Sequence, residues 1–216
     1  MNKNNLLEKH VKSQISNYLK NHDSMNMEID VGKIFTTNKV FNTKISKTMY
    51  NIILNHFLTE NKFKYKKNLS HYIYTQNNIR LYVDNNNEKS MLKCMSTKNL
   101  SANIISTNQN SFDLKIKFLK RKPISLDLFT SSMDYDTVIL RDTVSLNFGN
   151  MYYLNFSECT DKSSKYYQIK ILMSKTIKTK KINIVKSLFE TIKKIIQLQG
   201  VDLNEINEMY NIEAVY

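Results

Sequence analysis

A chain of 216 residues is long enough for one domain with a full core, and its 41% hydrophobic content excludes a disordered chain. A formal charge of +13 points to an oppositely charged partner: a nucleic acid, a nucleotide polyphosphate or an acidic protein surface. The two cysteines, Cys94 and Cys159, lack CxxC spacing, which argues against a zinc site and a disulfide framework.

Residues 1–22 carry Leu6, Leu7, Val11, Ile15, Tyr18 and Leu19 at helical spacing and are predicted as an N-terminal helix. From Met25 the period changes. Met27, Ile29 and Val31 alternate with Glu28, Asp30 and Gly32, a strand with one polar face. A second helix is predicted over 44–61, with Ser46 as N-cap and His56 as a core or boundary histidine on its apolar side.

Strands then dominate 65–173, at 70–75, 78–84, 89–96, 111–119, 137–146, 151–157 and 166–173, with Pro123 marking a break between two of them. Residues 182–199 form an amphipathic C-terminal helix, with Ile184, Val185, Leu188, Phe189, Ile192, Ile195 and Ile196 on its apolar face and Gly200 after it. Residues 201–216, with Glu205, Glu208 and Glu213, are expected to form a short acidic tail or terminal helix. The expectation is one α+β domain, with an antiparallel barrel at 25–175 flanked by helices at the N-terminus, after the first strand and at the C-terminus.

Several strands alternate cations with apolar residues: Arg80, Lys93, Lys115, Lys117 and Lys170. Pointing into a barrel they would line a tunnel suited to a phosphate chain; pointing outward they would be a solvated face. The sequence leaves both arrangements open. Tyr72, Tyr74 and Tyr82 interleave with basic residues, but strand aromatics are more often packing than base-stacking platforms.

The run from Met27 to Ile34 (MEIDVGKI) resembles the first strand of the tunnel-family RNA 5′-triphosphatases, the triphosphate tunnel metalloenzymes of mRNA capping in large DNA viruses and fungi. Ile79-Arg80-Leu81, the Phe112–Lys117 strand leading to a Lys/Pro turn at 120–123, Leu140-Arg141, and Leu154–Ser157 resemble that family's later strands in the same order. Each motif is weak alone; the order carries the likeness over roughly residues 25–200.

The resemblance implies a closed β-barrel whose two acidic strands hold Mg²⁺ or Mn²⁺. Glu28 and Asp30 would be the metal-binding and catalytic carboxylates, while Arg80, Lys93, Lys115, Lys117, Arg141 and Lys170 would grip phosphates. Water would attack the γ-phosphorus, with metal and cations neutralising the developing charge. The implied ligand is an RNA 5′ end or a nucleotide polyphosphate. A capping or transcription protein is the implied partner, docking through the helix at 182–199. The chain has no run of about 18 apolar residues that could span a bilayer, so no membrane partner is expected, and the expected setting is intracellular: viral or host cytoplasm, or a virion.

One departure is serious. Where the family carries glutamates on its second acidic strand, this chain has Gln168, Lys170 and Leu172, and Ile139 and Thr143 stand where further cations often occur. Three readings follow. In the first, the Lys170 ammonium takes the metal's position, pairs with Glu28 or Asp30, and catalysis is reduced or lost; in the second, a metal-dependent triphosphatase is retained with Glu28 and Asp30 as ligands, a reading that Asp142 or Glu158 reaching the tunnel floor would favour. The third is a basic RNA-binding subunit of a capping or transcription complex. The first ranks slightly ahead of the second.

Overall fold

The computed structural model describes residues 3–21, 25–35, 40–76, 79–85, 87–106, 112–125, 135–149, 151–162, 164–174 and 181–198. In chain order these form α1 (Lys3–Asn21), β1 (Asn26–Ile34), β2 (Phe41–Asn42), α2 (Lys47–Glu60), β3 (Tyr65–Gln76), β4 (Ile79–Asp84), β5 (Asn87–Ile105), β6 (Asp113–Pro123), β7 (Thr137–Phe148), β8 (Tyr152–Asp161), β9 (Ser164–Met173) and α3 (Lys181–Leu198). The expected tail at 201–216 and Gly200 lie outside the described residues.

One antiparallel sheet runs β1-β6-β5-β4-β3-β7-β8-β9, and β9 pairs back onto β1 through Glu28↔Leu172, Ile29↔Ile171 and Asp30↔Lys170. Eight strands thus close into a barrel. The two-residue β2 extends the β9-side edge of β1, through Lys33↔Asn42 and Ile34↔Phe41. Gly32 permits that approach, since a Cβ there would stand 2.1 Å from the Asn42 carbonyl oxygen.

The barrel is polar inside and apolar outside. Strand alternation sends Met27, Ile29 and Val31 of β1, Leu114 and Ile116 of β6, Leu154 and Phe156 of β8, and Ile169 and Ile171 of β9 outward. There they meet Val11, Ile15 and Tyr18 of α1, Ile53 and Phe57 of α2, and Ile184, Leu188, Ile192 and Ile195 of α3 in one core. Burying each such side chain contributes about 1.5–3 kcal/mol, so the helices hold the barrel wall from outside and leave its lumen free for charge.

The helices are fastened by specific polar contacts as well. Ser46 caps α2 by accepting from the Met49 N–H at 3.2 Å, as its sequence position predicts. The Tyr152 hydroxyl lies 2.8 Å from Thr191 Oγ1 and 2.9 Å from Ser187 Oγ on α3. His56 is a half-buried boundary residue 3.4 Å from Glu60, and burial lowers its pKa.

Three expectations are revised. The apolar face of α3 is buried in the chain's own core and is not a docking face; Ile182, 74% exposed, lies off that stripe. Strand β5 runs on to Ile105 because β6 pairs with it past an irregularity between Asn99 and Ser101, a pairing its weak alternation does not announce. Pro123 ends β6 opposite Met95, so the strand extends through Arg121 instead of turning at Lys120.

Candidate anion-binding tunnel

Alternation on β1 directs Glu28 and Asp30 into the lumen, where both are buried, at 2% and 3% exposure. A carboxylate taken from water requires a partner of opposite charge. The neighbouring strands supply three. Lys117 of β6 places Nζ 2.7 Å from Asp30 Oδ2 and 3.3 Å from Glu28 Oε2. Lys170 of β9 places Nζ 3.4 Å from Asp30 Oδ1 and 3.6 Å from Glu28 Oε2. Arg121 of β6 donates to Glu28 Oε1.

Burial alone would push the Glu28 carboxyl up. Lys170, Arg121 and Lys117 together outweigh that effect and hold it at about 2, against an ordinary 4.5. The carboxylate is therefore charged throughout the neutral range.

Glu28, Arg121 and Lys170 of this cluster also line a cavity of about 190 Å³, whose other wall holds Arg80, Lys93 and Arg141 together with His71, Thr143 and Ser157. Arg80 and Arg141 have no ion-pair partner among the described residues, and Arg141 Nε is buried without a hydrogen bond. Lys93 lies over the Tyr82 ring at 4.7 Å. Burial lowers the His71 pKa, and the nearby Lys93 lowers it further. Glu28, already shared by three cations, is the one carboxylate on the described lining, so the surplus positive charge and the orphaned donor are what an anion would satisfy.

The structure thus brings together Glu28, Asp30, Lys117 and Lys170 in one ion cluster, and Arg80, Lys93 and Arg141 in the adjoining cavity. Lys115 is set apart: it stands opposite Asp30 in register, but its ammonium lies 5.9 Å over the Phe41 ring. Sequence reasoning missed Arg121 and His71. Arg121 continues the odd-numbered alternation of Lys115 and Lys117, a signal hidden by reading a turn at 120–123. Tyr82 faces the cavity, whereas Tyr72 and Tyr74 pack outside it on a small cluster of Leu81, Val83 and Cys94.

Asp142 and Glu158 do not reach the tunnel floor. They line a separate outer depression, where Asp142 accepts from Ser70 at 2.5 Å and Glu158 pairs with Lys165 at 2.5 Å. At the sites of the expected cation and glutamate, Thr143 is hydrogen-bonded to Ser157 at 2.9 Å, and Gln168 donates to Thr43 Oγ1 at 2.7 Å.

No family model and no curated protein matches the sequence. Structural similarity is extensive. The S. pombe Pct1 RNA triphosphatase, solved in complex with the Spt5 CTD, superposes with a TM-score of 0.69 at 12% identity, covering 89% of this chain and 93% of that one. The Mimivirus capping enzyme triphosphatase superposes with a TM-score of 0.55 at 12% identity, covering 85% of this chain and 94% of that one. This chain has the RNA triphosphatase fold.

Within that fold, the donor set does not fit the Mg²⁺ or Mn²⁺ that the resemblance implies. Such an ion prefers a near-octahedral oxygen shell and is reluctant to give up its waters. Among the described residues no three acidic, histidine or cysteine side chains gather to hold a metal. One buried acceptor, Asp30 Oδ1, lacks a hydrogen bond, but the Lys170 ammonium stands 3.4 Å from it; the other three carboxylate oxygens face Lys117, Lys170 or Arg121, and an ammonium replaces the carboxylate expected from β9.

Proposed function

We propose that this chain is a divergent relative of the mRNA-capping RNA 5′-triphosphatases that binds RNA 5′-triphosphate ends or a nucleotide polyphosphate, with γ-phosphate hydrolysis reduced or lost. One observation carries the proposal: the Lys170 ammonium lies 3.4 Å from Asp30 and 3.6 Å from Glu28, where the resemblance calls for carboxylate and metal. Arg80, Lys93 and Arg141 then grip the phosphate chain, joined by Lys170 and Arg121, which line the same cavity.

A role in viral mRNA capping belongs to the same proposal, supported by the likeness to the Mimivirus enzyme. So does a protein partner in a capping or transcription assembly, for which the Pct1 complex with the Spt5 CTD is the supporting parallel. No described helix is long and apolar enough to cross a membrane.

The test compares RNA ending in 5′-triphosphate with the same RNA ending in 5′-hydroxyl, titrated against the protein over a salt series. The triphosphate end should bind more tightly, and the difference should shrink as salt rises. Equal affinity for the two ends would remove the tunnel from the account and leave a general basic RNA-binding surface.

A further inference from the structure

Each of the four carboxylate oxygens of Glu28 and Asp30 has a cationic nitrogen within 3.6 Å. Lys117 and Lys170 each place an ammonium within 3.6 Å of both carboxylates, and Asp30 Oδ1, buried without a hydrogen bond, meets the Lys170 charge at 3.4 Å. Three cations face two carboxylates, so the cluster is positive without any metal. Arg80 and Arg141 on the same cavity wall add charge and have no ion-pair partner among the described residues.

We infer that Lys117 and Lys170 stand in for a divalent cation, so that the tunnel takes its polyphosphate as the metal-free anion and binds the magnesium complex more weakly. The inference rests on the polyphosphate reading above and specifies the form of ligand that site accepts. Two physical reasons support it. To reach Glu28 or Asp30, Mg²⁺ would have to shed waters and displace ammonium groups already paired there. A magnesium-complexed triphosphate also carries two fewer negative charges into a lumen whose own charge is positive.

The experiment titrates inorganic tripolyphosphate into the full chain by calorimetry, first in EDTA and then in excess Mg²⁺. Binding is expected in EDTA, weakened roughly tenfold by Mg²⁺, the equivalent of one charge-assisted contact. Binding that appears only with Mg²⁺ overturns the inference while the polyphosphate reading stands. No binding in either buffer, repeated with 5′-triphosphate RNA, overturns that reading as well.

A second measurement follows free Mn²⁺ by its paramagnetic resonance. The wild-type chain should leave the signal undiminished, and Lys170→Glu, which adds a carboxylate and removes an ammonium, should take the ion up. Stoichiometric uptake by the wild type that Glu28→Gln abolishes would overturn the inference. A folded Lys170→Glu chain that takes up no Mn²⁺ would count against Lys170 as the substitute.

Discussion

Lys170 and Asp30 are register partners across the β9–β1 seam that closes the barrel, and their side chains meet inside it with Nζ 3.4 Å from Oδ1. The seam that completes the fold is therefore also the place where the lumen's charge is decided. A carboxylate at position 170 would set three acidic side chains together on this seam. The ammonium makes it an internal ion pair.

The first prediction concerns stability. Glu28→Gln leaves Arg121, Lys117 and Lys170 without their shared counter-charge. Breaking a buried pair by removing one partner costs about 3–5 kcal/mol, and the lower end applies here because the three cations keep partial contact with water. A loss of about 3 kcal/mol in chemical denaturation is expected. Unchanged stability would mean that the cluster is solvated and does not hold the barrel.

Acid should act through the same residue. The folded Glu28 carboxyl titrates at about 2 and an ordinary one at 4.5. As pH falls, the unfolded chain takes up the proton first, so protons favour unfolding. The stabilisation is complete above 4.5, declines between 4.5 and about 2, and is gone below. Across that window the denaturation midpoint should fall more steeply for the wild type than for Glu28→Gln; parallel curves would remove Glu28 from the acid response.

Ligand binding should separate from stability at the cavity arginines. Arg80→Ala and Arg141→Ala remove cations that have no acidic partner among the described residues, so folding should suffer little. Each should lower polyphosphate affinity by about tenfold or more, because hydrogen bonds to charged groups contribute roughly 1.5–3 kcal/mol. Lys115→Ala, whose ammonium lies over Phe41, should change affinity much less. Equal losses at Arg141 and Lys115 would argue for a diffuse basic surface.

Gly32 offers a test of the barrel rim. A methyl group there would press on the Asn42 carbonyl oxygen at 2.1 Å, so Gly32→Ala must push β2 off β1. The thermal midpoint should drop by several degrees, and the amides of Lys33, opposite Asn42, and Phe35, which donates to the Val40 carbonyl, should exchange faster. Retained protection at both amides would show that the rim yields without separating.

Much of this was legible in the sequence, for a physical reason. Period-two alternation determines both faces of a strand at once, so Met27, Ile29 and Val31 facing out required Glu28 and Asp30 facing in. The amphipathic stripe of α3 was equally plain, but its destination was not, since periodicity locates an apolar face without naming what covers it. Arg121 was hidden by Pro123, read as a turn although it only ends the strand. Lys170 could be suspected of meeting Glu28 or Asp30, yet the contact depends on closure between strands some 140 residues apart, and on the β1–β9 register. No local pattern encodes that register.

The most direct test measures phosphate release from RNA labelled at its γ-phosphate, incubated with the wild-type chain in Mg²⁺ and in Mn²⁺. With Lys170 and Lys117 holding Glu28 and Asp30, the account predicts no release above background from a chain that still binds the RNA. Metal-dependent release that Glu28→Ala abolishes would contradict it, and would make the tunnel an active triphosphatase with an altered metal site.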